Sequence, residues 1–193
     1  MTGSILRKKF YERATVDVAR DLLGKVLVHG ACAGVIVESE AYLGKDDPAA
    51  HSAAGLTQRT RVIFGPPGHA YVYLSYGMHE CFNITAEPAG EAGCVLIRAL
   101  EPIEGLDIMR ARCPAARHVH QLANGPGKLT RAMGITRALY GHDLTRGKFV
   151  VRESVVPAPF EIAVSARVGI TKASDLPLRF FIRNNPCVSR PSK

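Results

Sequence analysis

The sequence predicts an α+β fold, in which short strands dominate and helices occur singly between them. Runs rich in β-branched and aromatic residues recur along the chain, and Gly or Pro bounds several of them. Helical spacing of apolar residues is confined to a few short segments. Strands and helices do not alternate strictly, as they do in a doubly wound sheet. The 193 residues suffice for one domain, which we take to span residues 1–193.

Eight runs have the composition of strands. They are residues 25–28, 35–39, 70–74, 81–85, 94–99, 150–152, 163–168 and 178–182. Tyr76 and Gly77 lie between the third and fourth runs and predict a hairpin turn. A bulky residue such as Tyr76 at the tip of a hairpin is exposed, which suits an intercalating role.

Three segments are predicted to be helical. In the first, Thr15 is expected to act as the N-cap, and Gly24 ends the segment. Its apolar residues at helical spacing are Val16, Ala19, Leu22 and Leu23. The second helix is predicted from Pro102 through Arg112 and the third from Pro126 to Met133, before Gly134.

Charge and cysteine content limit the classes of function. The net charge is +8, from 25 Lys and Arg against 17 Asp and Glu, which favours a polyanionic partner such as nucleic acid. The five cysteines form no C-x-x-C pair, which argues against a disulfide framework and favours a reducing compartment. Neither a membrane span nor a signal peptide is expected. We therefore expect an intracellular protein, in the cytoplasm or nucleoid of a bacterium or the nucleus of a eukaryote.

Two carboxylates end an apolar strand-like run and form the first candidate for chemistry. Alternation along a strand would place Ile36, Glu38 and Glu40 on one face. Arg98 lies inside another apolar run, and a buried guanidinium needs an anion, for which Glu38 or Glu40 is the obvious candidate. The residues alone leave two interpretations open: a structural ion pair, or a carboxylate and an arginine that flank a catalytic water.

Aromatic residues form the second candidate. Tyr71 and Tyr73 alternate onto one face, with Tyr42 and His51 upstream, and clustered phenols can stack on a flat base. Core packing is the alternative. The His118-x-His120 pair lacks further ligands, so we predict no metal site and no cofactor.

The segment from Asn124 to Leu129 forms a third, weaker candidate. It contains Gly125, Pro126, Gly127 and Lys128 at a predicted helix start. Free N–H groups and a lysine at that position suit a phosphate, so Lys128 is a candidate contact to the DNA backbone. The segment is not a Walker motif.

Taken together, these residues resemble the alkyladenine (3-methyladenine) DNA glycosylase family. The matching strings run in order over nearly the whole chain: residues 37–44, 47–52, 71–78, Asn83, 94–102, 125–129 and 166–169. Each string is short, but their order and spacing are specific.

The resemblance implies a single mixed domain with a curved antiparallel sheet, flanking helices and a protruding hairpin. It also implies a monomer that extrudes alkylated or deaminated purines, such as 3-methyladenine, 7-methylguanine and hypoxanthine, from double-stranded DNA and hydrolyses the glycosidic bond with water. Glu40 would be the general base, helped by Arg98 and the Val168 carbonyl. The base pocket would comprise Tyr42, His51, Tyr73 and Asn83, and Tyr76 and Met78 would enter the duplex.

The sequence departs from the mammalian pattern at the hairpin, where His79 and Glu80 replace aromatic residues. An acidic Glu80 near the DNA would weaken insertion. Two other classes stay open: a non-catalytic protein that bends DNA by inserting Tyr76, and an enzyme acting on free nucleosides. Glu40 and Arg98 in a base pocket argue against the first, and the basic charge and exposed hairpin argue against the second. Release of free base from methylated duplex DNA separates all three.

Overall fold

The computed structural model describes residues 2–154 and 159–189. Its strands are β1 (Thr2–Ile5), β2 (Val26–His29), β3 (Cys32–Tyr42), β4 (Ala70–Ser75), β5 (His79–Thr85), β6 (Cys94–Glu104), β7 (Phe149–Ser154), β8 (Ile162–Ser165) and β9 (Arg179–Ile182). Its α-helices are α1 (Lys8–Tyr11), α2 (Thr15–Asp21), α3 (Leu106–Arg112) and α4 (Pro126–Met133). In this part of the chain, no helix is long and apolar enough to cross a membrane.

The described strands form one antiparallel sheet, which confirms the α+β class. Its main order is β1-β7-β2-β3-β6-β5-β4, and β8 joins it through β9. The long strand β3 pairs with β6 along one side. On its other side it pairs first with β2 and then, at Glu38–Glu40, with β9. The part of β3 that carries the two carboxylates is therefore enclosed by β6 and β9.

Register shifts in the β3–β6 pair change which side chains share a face. Between Ile36 and Ser39 the pairing to β6 shifts twice, as at β-bulges. Ile36 packs in the main core, whereas Val37 belongs to a second cluster with Ala99 and Phe181. The prediction that Ile36 shares a face with Glu38 and Glu40 is therefore wrong. A bulge adds one residue to the alternation, so the carboxylates face away from the main core.

The main core lies between the sheet and the helices on one side. Its members include Leu22 beside α2, Met109 on α3 and Leu129 on α4. The hydroxyl of Ser39 on β3 donates to the Ala19 carbonyl of α2 at 2.7 Å, which fixes this helix against the strand. The two smaller apolar clusters contain residues of the other face.

Two further element predictions need correction. Pro102 does not begin a helix, because β6 continues to Glu104 and α3 begins only after Gly105, whose φ is 74°. Pro102 lies where the pairing to β3 shifts register, a position at which a sheet tolerates proline. The strand predicted over residues 163–168 ends at Ser165, which frees Arg167 and Val168 to turn toward β3. Helix α4 has the predicted bounds.

Thr15 does not act as the N-cap that the sequence predicts. It is the first residue of α2, and Ala14 precedes it without a side-chain cap. Instead, the Glu87 carboxylate accepts both the Thr15 backbone N–H at 2.6 Å and the Thr15 hydroxyl at 2.8 Å. A distant acidic residue therefore supplies the cap and the negative charge that a helix N-terminus favours.

We expect Glu87→Ala to lower the free energy of unfolding by about 1–2 kcal/mol, because two donors at the start of α2 lose their acceptor. Urea denaturation measures the difference. Glu91→Ala, an exposed change four residues away, is the control and should have no effect beyond about 0.5 kcal/mol. Equal unfolding midpoints for the two variants would contradict the capping role.

Candidate active site

Glu38 is the centre of a buried charge cluster. Its Oε1 accepts Arg98 Nε at 3.1 Å, Arg179 Nε at 2.7 Å and the Ser189 hydroxyl at 2.9 Å. Its Oε2 accepts the Ser189 backbone N–H at 2.7 Å. Glu38 is fully buried, so these donors replace the water that an ionised carboxylate otherwise requires. Glu38 thus has four donors, three of them on one oxygen, and holds the two arginines.

Glu40 has fewer partners and lies beside the same arginine. Its Oε1 accepts the Val168 backbone N–H at 2.8 Å and is 3.4 Å from Arg98 Nε. Its Oε2 accepts the Tyr42 hydroxyl at 3.0 Å. Burial raises the pKa of Glu40, although Arg98, Val168 and Tyr42 act in the opposite direction. A carboxylate with a raised pKa is a stronger base than an ordinary glutamate.

An open cavity of about 660 Å³ lies next to this cluster. The side chains of Tyr42, His51, Tyr71 and Tyr73 line it, together with Arg98 and Val168. Tyr71 and Tyr73 are stacked, with ring centroids 5.4 Å apart, as their alternation on β4 predicts. His51 meets Tyr73 edge-on at 4.6 Å. The cavity has the aromatic walls that a flat, ring-shaped ligand requires.

The His51 side chain is held in a neutral form. Its Nδ1 hydrogen-bonds the Tyr71 hydroxyl at 2.8 Å, and Arg59 Nη2 lies 3.4 Å from its Nε2. Burial lowers the pKa of His51 to about 4, and the Arg59 charge contributes in the same direction. Arg59 also lies over the Tyr73 ring at 5.1 Å. His51 is therefore uncharged near pH 7.

Asn83 and Lys128 occupy different positions relative to the cavity. Asn83 is buried in its lining, and its Nδ2 donates to the Tyr71 carbonyl at 3.2 Å. Lys128 is exposed on α4 and donates to Asn124 at 2.9 Å. Asn124 and Gly125 line the cavity mouth, whereas Lys128 itself is not among the lining residues.

The hairpin between β4 and β5 presents two large side chains to solvent. Tyr76 is 84% exposed and Met78 is 71% exposed. Tyr76 and Gly77 have φ values of 49° and 69°, the positive values of a primed turn, so Tyr76 is held in a conformation that favours glycine. Glu80 does not present a free charge here, because Arg137 Nε binds its carboxylate at 3.0 Å.

A second buried ion pair, Asp47–Arg167, lies next to residues that line the cavity. Both guanidinium Nη atoms of Arg167 bind Asp47, and Nη2 lies 2.8 Å from Oδ1. Arg167 Nη1 also donates to the Ala41 carbonyl of β3 at 3.0 Å, and the guanidinium lies over the Tyr42 ring at 4.6 Å. The residue that follows is Val168, which binds Glu40. The Asp47–Arg167 pair therefore joins the loop after β3 to the loop that carries Val168.

The structure brings most of the residues singled out from the sequence to one place. Glu40, Arg98 and Val168 form a contiguous set, and the four predicted pocket residues line the adjoining cavity. Three further parts of the site were not identified from the sequence: Arg179, Arg59 and the Asp47–Arg167 pair. Arg179 carries the same signal as Arg98, a guanidinium within an apolar strand, and the argument that identified Arg98 applies to it equally.

Among the described residues, no group of three or more His, Cys, Asp or Glu is arranged to hold a metal ion. His118 and His120 stack on each other, with ring centroids 5.4 Å apart. All five cysteines are buried and free.

The fold and the site together define a class of protein. A basic chain presents an open aromatic-walled cavity, a buried carboxylate of raised pKa that is hydrogen-bonded to two of the lining residues, and an exposed aromatic hairpin. This combination is typical of an enzyme that binds a flat, ring-shaped ligand and has an ionisable group beside the ligand cavity.

Comparison with known proteins gives the family. The chain belongs to the methylpurine-DNA glycosylase family, whose model matches residues 9–186. It is 54% identical to a protein of Methanoculleus marisnigri, over 94% of this chain and 96% of the relative. It is 50% identical to one of Methanocella arvoryzae over 96% of both chains, and 46% identical to one of Carboxydothermus hydrogenoformans over 96% and 99%. Each relative is named "Putative 3-methyladenine DNA glycosylase".

We expect Asp47→Asn to lower the free energy of unfolding by about 3 kcal/mol, because it leaves the buried Arg167 guanidinium without an anion. The Arg167 and backbone N–H hydrogen bonds outweigh burial and hold the pKa of Asp47 below its ordinary value. The pair's contribution is therefore fully present above about pH 4 and is lost as pH falls through the lowered pKa.

Urea denaturation of the wild type and Asp47→Asn between pH 3 and 7 measures this difference. Asp46→Asn, at the exposed neighbouring position, is the control and should follow the wild type. The difference in the free energy of unfolding between the wild type and Asp47→Asn should become smaller toward pH 3. A gap independent of pH would mean that the ionised Asp47 does not stabilise the fold.

Proposed function

We propose that this protein is a monofunctional DNA glycosylase, which extrudes a damaged purine from double-stranded DNA and hydrolyses its bond to deoxyribose with water. The observation that carries the proposal is the position of Glu40, a buried carboxylate of raised pKa whose partners Tyr42 and Val168 line an aromatic-walled cavity. The names of the relatives support the substrate class. Alkylated purines such as 3-methyladenine and 7-methylguanine, and deaminated ones such as hypoxanthine, are the substrates proposed.

Glu40 is the proposed general base. Tyr42 and Val168 fix its two oxygens, and each carboxylate oxygen retains acceptor capacity for the proton of a water. The ionised carboxylate would also stabilise the positive charge that develops on the sugar as the base departs. Arg98 helps keep Glu40 ionised. The Val168 carbonyl is the further proposed contact to the water.

The remaining residues would bind rather than react. Tyr42, Tyr73 and His51 offer ring faces and edges to the extruded base. No lysine is among the described residues that line this cavity, which favours water over a Schiff-base mechanism. Lys128 is a proposed phosphate contact. Tyr76 and Met78 are proposed to fill the gap in the duplex. The protein is proposed to act as a monomer, so that its own hairpin supplies both side chains.

Single-turnover assays on duplexes that each contain one defined lesion test the proposal. We expect free base and an abasic site as products, without strand cleavage, without loss of activity in chelator and without a borohydride-trapped adduct. A protein that binds and bends the same duplexes but releases no base would instead be an architectural DNA-binding protein.

Glu40→Gln is expected to abolish base release while leaving the affinity for lesion-containing DNA within about tenfold, because phosphate contacts dominate affinity. Glu104→Gln, an exposed change at the far end of β6, is the control. Release near the wild-type rate in Glu40→Gln would transfer the role of base to Glu38.

The pH dependence gives a second readout of the same residue. Because burial raises the pKa of Glu40, the base form is lost below that raised value, and release should fall at a higher pH than for an ordinary glutamate. A 7-methylguanine duplex is the substrate of choice, since its base already carries positive charge. A rate that stays flat through pH 4 would exclude a general base of raised pKa.

Tyr76→Ala is expected to reduce the flipping equilibrium by about tenfold and to leave the rate of chemistry on the captured base nearly unchanged, because a stacked ring offsets unstacking. A fluorescent reporter base at the lesion measures flipping. Tyr76→Phe keeps the ring and should behave as the wild type. Equal flipping in all three proteins would reject the wedge role.

Asn83→Ser is expected to raise release of 7-methylguanine relative to hypoxanthine several-fold, because guanine alone carries a 2-amino group on its minor-groove edge. A fitted polar residue there would exclude that group at a cost on the order of 1–3 kcal/mol. Single-turnover rates on the two duplexes give the ratio, with folding checked by circular dichroism. An unchanged ratio would leave Asn83 with the structural role of binding the Tyr71 carbonyl.

A further inference from the structure

A second cavity lies beside the aromatic one and shares part of its wall. Its volume is about 680 Å³. His51 and Arg59 line both cavities, so the two spaces are adjacent. Thr57 and Thr60 line the second cavity only.

Positive charge is concentrated in this second cavity. Lys45, Arg59 and Lys172 line it, and no Asp or Glu is among its lining residues. Both lysines are exposed, and neither forms an ion pair within residues 2–154 and 159–189. The buried carboxylate of Asp47, two residues from Lys45, is bound by Arg167. The two ammonium groups are thus available to an external anion.

The backbone beneath the two lysines is fixed in place. Lys45 lies two residues before Asp47, whose carboxylate also accepts the Leu43 and Ala49 backbone N–H groups. Lys172 directly precedes Ala173, whose carbonyl accepts Arg167 Nη2 at 3.4 Å. The buried Asp47–Arg167 pair therefore holds together the two loops that carry the lysines, although the loops are more than 100 residues apart in sequence.

We propose that this second cavity binds phosphate groups of the DNA strand next to the extruded nucleotide, with Lys45 and Lys172 as the cations. The proposal rests on the proposed function, in which the aromatic cavity holds the damaged base. A nucleotide in that cavity remains joined to its neighbours through phosphates, so the backbone leaves the cavity mouth and passes the shared wall. Lysine ammonium groups suit this contact, because each binds phosphate as a flexible point charge.

The salt dependence of DNA binding tests the subsite. In Lys45→Ala/Lys172→Ala we expect the slope of log K against log salt, over roughly 50–200 mM, to be smaller by about 1–2 than in the wild type. Affinity for a lesion duplex should fall roughly tenfold near 0.1 M salt, with an unchanged release rate at saturating protein. Lys9→Ala/Lys148→Ala removes the same charge from exposed positions outside both cavities and should keep the wild-type slope.

A wild-type slope of log K against log salt in Lys45→Ala/Lys172→Ala would overturn the proposal. An equal reduction of the slope in Lys9→Ala/Lys148→Ala would also overturn it, because the effect would then come from the net charge of the whole protein. These outcomes are independent of catalysis, because binding is measured on its own. If neither the wild type nor any variant releases base, the proposed function is wrong, but the salt slopes still test whether the subsite binds phosphate.

Neutral phosphate analogues locate the contact. A methylphosphonate is placed at one linkage at a time on either side of the lesion, in the same strand. The affinity of the wild type should fall most when the analogue is at one or two particular linkages. In Lys45→Ala/Lys172→Ala, the analogue at those linkages should lower the affinity no more than it does at other linkages. Equal losses at every linkage in both proteins would exclude a defined phosphate subsite.

Discussion

The neutralisation of Glu38 by two arginines is the interaction on which the rest of the site depends. One fully buried carboxylate holds Arg98 of β6 and Arg179 of β9, so it connects three adjacent strands. An isolated charge in that position would cost several kcal/mol, and it persists only because donors surround it. Because Glu38 fixes Arg98, the same guanidinium lies near Glu40 in a defined position. Glu38 therefore organises the site, while Glu40 has fewer donors around its carboxylate.

Much of the fold could be predicted because the relevant signals are local. β-branched and aromatic composition predicted every described strand except β1, and Pro126 with Gly134 predicted the bounds of α4. The errors arose where a distant contact overrode a local preference. Pro102 suits a helix start in isolation, but pairing with β3 retains it in a strand. The N-terminus of α2 takes its cap from a residue 72 positions away, and no local motif announces that contact.

The charged residues at the centre of the candidate site could be predicted from the sequence, but the ion pairs that hold them in place could be predicted less well. Charged residues within apolar runs, as at Glu40 and Arg98, are costly and therefore conspicuous in a sequence. Arg179 was open to the same argument. Asp47 and Arg167 lie in loops of mixed polarity, where a buried ion pair has no periodic signal and its partners are 120 residues apart. Bulges are also invisible in composition, and they decided which face Glu38 and Glu40 occupy.

The branching of β3 has a consequence for the order in which the molecule becomes competent during synthesis. The contacts that complete the carboxylate cluster join residues separated by 141 positions at Arg179 and 151 at Ser189. A nascent chain of the first 150 residues contains Glu40 and Arg98 but lacks the Val168 N–H, Arg179 and Ser189. Closing such long loops costs more entropy than closing short ones, and these contacts can form only after most of the chain has been made. An incomplete chain would therefore contain the aromatic residues of the cavity before the contacts that fix Glu38 and Glu40 can form, so the carboxylate cluster is among the last parts of the site to be completed.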